Sequence, residues 1–160
     1  MKEEHKQKLN KAAELLIYDR TLSDEEQNMK FWQAYNILDI LIQTNDPEVL
    51  EHLLDFFTKE NEGYGGLCEH MKSQIEMNFT PNQVLQAFYK KLNSFAKNDL
   101  CKCAQMCSCF MWPGIFEEFR VMFNEVKVEN ATELLDETGD FMSEERHGYI
   151  EILRKDMESW

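Results

Sequence analysis

The feature that most constrains this chain is an apolar pattern of three- and four-residue steps that runs nearly end to end, punctuated by helix-capping residues. One face of a helix repeats at that spacing, whereas a half-buried strand alternates at two, and no run here alternates over four or more residues. Val and Thr, the β-branched residues that favour sheets, are also sparse. The expected class is all-α.

The pattern divides into segments. Leu9, Ala12, Ala13 and Leu16 mark a first helix that should end near Asp19 to Leu22. Ser23 with Glu26 forms a capping box for a second, where Phe31, Tyr35, Leu38 and Leu41 set the buried face and Trp32, Ile37 and Ile40 widen it. Asp46 and Pro47 can cap and begin a third, with Leu50, Leu53, Leu54 and Phe57. So short a connection makes the second and third helices antiparallel neighbours. Glycines 63, 65 and 66 read as a loop, Leu67 to Phe79 as a helix with Leu67, Met71 and Ile75 on one side.

Thr80 and Pro81 start the cleanest stripe, Leu85, Phe88, Leu92 and Phe95. From Asp99 to Trp112 apolar residues lie on several faces, which for a helix means burial, and Pro113-Gly114 ends it. Ile115, Phe116, Phe119, Met122, Phe123 and Val126 resume the stripe. Asn130 can cap a short helix with Leu134 and Leu135 that Gly139 closes, and a last one begins at Ser143 with Ile150, Leu153 and Met157. About eight helices in antiparallel hairpins follow, as an α-solenoid resembling HEAT repeats or as an irregular bundle. With 160 residues, 43% of them apolar, one domain spanning 1–160 is expected.

Charge narrows the possible partners. The net charge is −13. Residues 1 to 60 carry seven Lys and Arg against thirteen Asp and Glu, a balance of −6; residues 61 to 112 carry five against four, +1; residues 113 to 160 carry five against thirteen, −8. Such a field repels nucleic acid and anionic membrane and draws in a basic protein. No run of apolar residues is long enough to span a bilayer, and the N-terminus leads into no short apolar segment of a secretory signal, so a cytoplasmic address is expected.

Chemistry finds little foothold. No nucleophile elbow, phosphate loop, HExxH or GxGxxG motif is present, so no catalytic residue and no cofactor are assigned. Cys101, Cys103, Cys107 and Cys109 could converge on zinc only if the helix were broken, in which case Cys68 and His70 could add ligands. On a helix only Cys103 and Cys107 share a face, and buried thiols are the reading preferred, with no metal. Cys68 and His147 could be imagined as nucleophile and base, but nothing in the sequence brings them together. Glu144-Glu145-Arg146-His147 is a single copy of a motif that di-iron bundles need twice, and reads as a solvated helix start.

The stretch Ile37-Leu38-Asp39-Ile40-Leu41-Ile42 through Asn45-Asp46-Pro47-Glu48-Val49-Leu50, then Cys68-Glu69-His70-Met71 leading to Ile75-Glu76, resembles an all-α family of bacterial immunity proteins that accompany polymorphic toxins. The likeness covers roughly residues 30 to 127. It implies a protein that binds a cognate toxin and blocks its active site or substrate groove, and no family site maps onto this chain residue by residue. Charge then suggests the acidic C-terminal third as the binding face, Glu117, Glu118, Glu129, Glu133, Asp136, Glu137 and Asp140, the other reading being that these residues are only the solvated side of two helices. A HEAT-like adaptor or scaffold is the alternative, and a metal-binding protein using the Cys cluster a lesser one.

Overall fold

The computed structural model describes residues 1–56 and 67–160, apart from the side chains of Cys68 and Glu69. Ten α-helices and no strand occur among the described residues. They are α1 (Glu3–Leu16), α2 (Asp24–Ile42), α3 (Pro47–Leu53), α4 (Leu67–Asn78), α5 (Pro81–Tyr89), α6 (Leu92–Asn98), α7 (Leu100–Ser108), α8 (Phe116–Val126), α9 (Ala131–Asp140) and α10 (His147–Met157). Short 3₁₀ turns extend α3 over Leu54–Phe56 and precede α10 over Glu144–Arg146. The all-α class stands. Contacts gather into two compact units, Met1–Ala87 and Phe88–Trp160, with the boundary inside α5.

In the first unit α1 packs along α2, which also meets α3 and α4. Leu9, Ala12, Leu15 and Leu16 are buried with His5, whereas Ala13 faces solvent, because the stripe is the series 5, 9, 12, 16 with position 15 at its edge. The helix stops at Leu16, earlier than expected. Lys30 Nζ donates to the Ile17 carbonyl at 3.0 Å and the Asp19 carboxylate accepts from the Thr21 amide at 2.9 Å, so the chain turns there.

The capping box of α2 forms on both sides: the Ser23 hydroxyl accepts from the Glu26 amide at 3.3 Å, and the Glu26 carboxylate from the Ser23 amide at 2.9 Å. Phe31, Tyr35, Leu38 and Leu41 are buried as expected. Trp32 and Ile40 are not: they are exposed, and Ile37 is half-buried. At the α2–α3 joint Asn45 takes the left-handed backbone, φ 52°, and Asp46 caps α3 through the Glu48 amide at 3.0 Å. Leu50, Leu53 and Leu54 are buried; the expected Phe57 and the glycine loop lie outside the described residues. In α4, Leu67, Met71 and Ile75 face inward as the spacing requires.

Two part-buried histidine–carboxylate pairs join distant parts of this unit. His5 Nδ1 lies 3.1 Å from Asp46 Oδ2, and His70 Nε2 lies 2.8 Å from Asp39 Oδ1 with the Tyr35 ring 5.0 Å away edge-on. Each bridges elements that no local pattern relates.

Thr80 and Gln83 cap α5 reciprocally, at 2.8 and 3.3 Å. The stripe expected to be one helix from Leu85 to Phe95 is divided at Lys90–Lys91, although Phe88, Leu92 and Phe95 are all buried. Neither Pro nor Gly marks that break, and the apolar spacing passes through it undisturbed. Spacing alone reports the face, not the continuity of the backbone.

The second unit has its strongest packing between α7 and α9, with α6 on α7 and α10 on both α8 and α9. A series of rings holds it: Phe88 on Phe110 at 5.4 Å, then Phe110–Phe119, Phe119–Phe123 and Phe123–Trp160, each 5.7 Å between centroids. Such pairs contribute about 0.5–1.5 kcal/mol each beyond their burial. Asp99 caps α7 through the Lys102 amide at 3.0 Å. The other end of α7 is closed by an arginine: Arg146 Nε donates to the Met111 carbonyl at 2.8 Å and a terminal nitrogen to that of Ser108 at 2.5 Å.

Three sequence expectations are corrected here. Asn130 precedes α9 but makes no side-chain cap; its amide instead donates to the Ala96 carbonyl at 2.8 Å, tying the start of α9 to α6. Ser143 makes no cap either, and a 3₁₀ turn intervenes before α10 begins at His147. Gly139 lies within α9, which ends one residue later.

Candidate protein-binding surface

The seven acids singled out by charge all lie in the second unit. Glu117 and Glu118 occupy the first turn of α8, where a carboxylate meets the positive end of the helix dipole. Glu129 follows Lys127, whose φ of 49° turns the chain between α8 and α9. On α9 the buried residues are Ala131, Leu134, Leu135 and Thr138. Glu133, Asp136, Glu137 and Asp140 therefore share the opposite, outward face at steps of three, one and three. No basic residue occurs anywhere in that helix.

The acids form two patches, and among the described residues no hydrogen bond or ion pair links them. Each has its own arginine. Asp136 pairs with Arg154 of α10, which also approaches Glu151 at 3.7 Å. Glu117 is 3.5 Å from Arg120, but Arg120 is committed elsewhere: its Nε and a terminal nitrogen donate to the two Asp156 oxygens at 2.6 and 2.8 Å. Asn124 adds a bond to Asp156 at 2.9 Å and accepts from Trp160 Nε1 at 2.8 Å. Hydrogen bonding to Arg120, opposed by desolvation and aided by Asn124, holds the Asp156 carboxyl below the usual range, and Asp156 raises Arg120 in turn. A shallow cleft of about 400 Å³ opens beside this network, lined also by Val121 and Lys127. The network fastens the chain end to α8 and leaves Arg120 little capacity for a ligand.

Of the thiols, Cys103 and Cys107 are buried, one helical turn apart, and burial pushes the Cys107 thiol up, aided by hydrogen bonding with Cys103. Cys103 Sγ approaches the Leu92 carbonyl at 3.8 Å, and Cys109 Sγ the Gln105 carbonyl at 3.5 Å. Among the described residues no three His, Cys, Asp or Glu side chains converge as metal ligands would. His70, considered as a further ligand, faces Asp39, and His147 faces the Gly139 carbonyl at 3.2 Å.

Charge and spacing picked out the α9 face, since the acids alternate with Leu134 and Leu135 at helical steps. They missed the outer face of α2, where Met29, Trp32 and Ile40 are exposed. A signal was present in the sequence: apolar residues occur there on more than half the circumference, too many for one buried stripe. None of the described helices is long and apolar enough to cross a membrane. Compared with protein-family models, curated proteins and solved structures, the chain finds no significant match.

Proposed function

We propose that this chain is a protein-binding domain that docks a basic partner on the outward face of α9, and that it acts as a stoichiometric inhibitor of a toxin, the immunity role that the resemblance implies. The observation that carries this is the row Glu133, Asp136, Glu137 and Asp140 on a helix without a basic residue, balanced among the described residues by Arg154 from α10, which pairs with Asp136. A nuclease toxin presents a positive surface for its substrate, and an acidic helix covering that surface gains both rate of encounter and selectivity. The charges also explain why the row is costly to leave bare: like charges three and four residues apart on a helix destabilise it by a few tenths of a kcal/mol per pair.

The test is co-expression with the toxin encoded beside this chain. A one-to-one complex, protection of the cell and association that slows with salt are expected. Replacing Glu133, Glu137 and Asp140 together by Lys should weaken binding at least about tenfold, chiefly through slower association. Absence of both complex and protection overturns the reading. The adaptor alternative draws on the packed helical hairpins alone and is favoured if the chain joins two proteins without inhibiting either.

A further inference from the structure

The outer face of α2 in the first unit differs from every charged surface described above. Trp32 is 67% exposed, Met29 54% and Ile40 51%. At about 100° per residue, Met29, Trp32, Gln33, Asn36, Ile40 and Gln43 fall within one arc of about 100°. That arc lies opposite the buried residues Phe31, Ala34, Leu38, Leu41 and Ile42. It carries three apolar side chains and three neutral amides, in a chain of which 29% is charged. Charge depletion with exposed Trp and Met is the composition of an interface centre, not of an ordinary wet helix face.

We infer that this stripe is a docking site for an apolar, basic helix of another protein, carried by residues different from the α9 acids and independent of them. Its chemistry selects the occupant. The N-terminal end of the stripe meets Glu25, exposed, in the first turn of α2 and within the same arc, whereas Asp24 lies about 130° round the helix from the centre of the stripe. Lys30, the one lysine in the sequence of α2, is turned to the Ile17 carbonyl. A partner helix therefore finds apolar contact along the stripe and the Glu25 carboxylate at one end, and matches it with apolar residues at helical spacing followed by Lys or Arg.

A second copy of this chain fits less well. From Met29 to Ile40 the stripe runs about 16 Å and is about 10 Å wide, on the order of 200 Å². Stable two-protein interfaces bury about 800 Å² on each side. That area is small for any occupant, so charge separates the two: copies of this chain, each of net charge −13, would repel one another, whereas a basic helix is attracted.

The probe is a synthetic helix of about 18 residues, leucine on one face and lysine at one end, beside a counterpart with glutamate for lysine. Titrated into the isotope-labelled full-length chain, the lysine peptide should shift the amide resonances from Met29 to Ile40, and the glutamate peptide should bind at least about tenfold more weakly. Trp32→Gln and Ile40→Gln should each lower the affinity about tenfold or more, while the far-ultraviolet dichroism of the chain stays unchanged because both side chains are exposed. Shifts confined to α9, equal binding of the two peptides, or unaltered affinity in both variants each overturn the inference. Self-association of the free chain that Trp32→Gln abolishes also overturns it, by assigning the stripe to a second copy. Failure of the Glu133, Glu137 and Asp140 replacements to affect toxin binding bears on the proposed function alone.

Discussion

α2 and α9 are built on one plan and finished in opposite ways. Each buries one face, α2 through Phe31, Leu38 and Leu41, α9 through Leu134, Leu135 and Thr138. The outward face of α9 is a row of carboxylates, whereas that of α2 is uncharged between Met29 and Gln43, with Met29, Trp32 and Ile40 set among three amides. A row of acids acts at long range, sets the rate of encounter and weakens with salt. An exposed Trp with Met and Ile acts only on contact, through area removed from water at about 25 cal/mol per Å². The two faces thus differ in range, and substitutions on them should separate by observable: rate and salt dependence for α9, lifetime of the complex for α2.

The contrast is sharpest when outer faces are set against the residues beneath them. Phe119→Ala removes the middle of the ring series in the second unit and should lower stability by about 3–5 kcal/mol. Leu38→Ala in the first unit should cost about 2–5 kcal/mol. Urea unfolding of both variants checks this, and two transitions of which each variant moves only one would show that the units unfold separately.

Next in size is the arginine that closes α7. Arg146→Ala strips the Ser108 and Met111 carbonyls of charge-assisted donors and should cost about 1.5–3 kcal/mol, read as a lower midpoint in urea. Arg146→Lys should recover only part, since an ammonium does not reproduce two bonds from one rigid fork.

A pH effect is smaller and has a definite sign. Asp156 is held below its ordinary pKa by Arg120, so its contribution is present above the unfolded carboxyl value near pH 3.9 and is lost as pH falls through the lower folded value. Asp156→Asn should lower stability at neutral pH and flatten the acid limb of the stability curve below about pH 4. An acid limb unchanged by the substitution would sink this assignment.

Smallest of all, Trp32→Gln and Glu133→Lys should each change stability by less than about 0.5 kcal/mol, because both side chains point to solvent. A larger loss for Trp32→Gln would mean that its ring contact with Tyr35, 5.5 Å between centroids, supports the fold, and the contrast between the two outer faces would weaken.

Caps were legible in the residues wherever the motif is complete within four positions. Ser23 with Glu26, Asp46 with Pro47, and Thr80 with Gln83 all form, because cap and backbone partner are local neighbours. Asn130 was misread because its amide finds a carbonyl 34 positions away that competes with its own helix. The α9 acids could be located by helical spacing. Their arginine partner could not, since Arg154 and Asp136 meet only when α10 folds back beside α9.

What the sequence determined by itself is the helical class, most inward positions and the starts of α2, α3 and α5, all governed by spacing and by bonds within one turn. Tertiary structure decided which side of an ambiguous helix faces inward. On α2 the apolar residues exceed what one core face can hold, so the pattern permits two orientations, and only packing against α1, α3 and α4 buries Leu38 and leaves Trp32 outside. It also decided that His5 meets Asp46 and that Arg146 closes α7, since both depend on long-range approach. Periodicity fixes the angle between residues around a helix, and the neighbouring helices fix where zero lies.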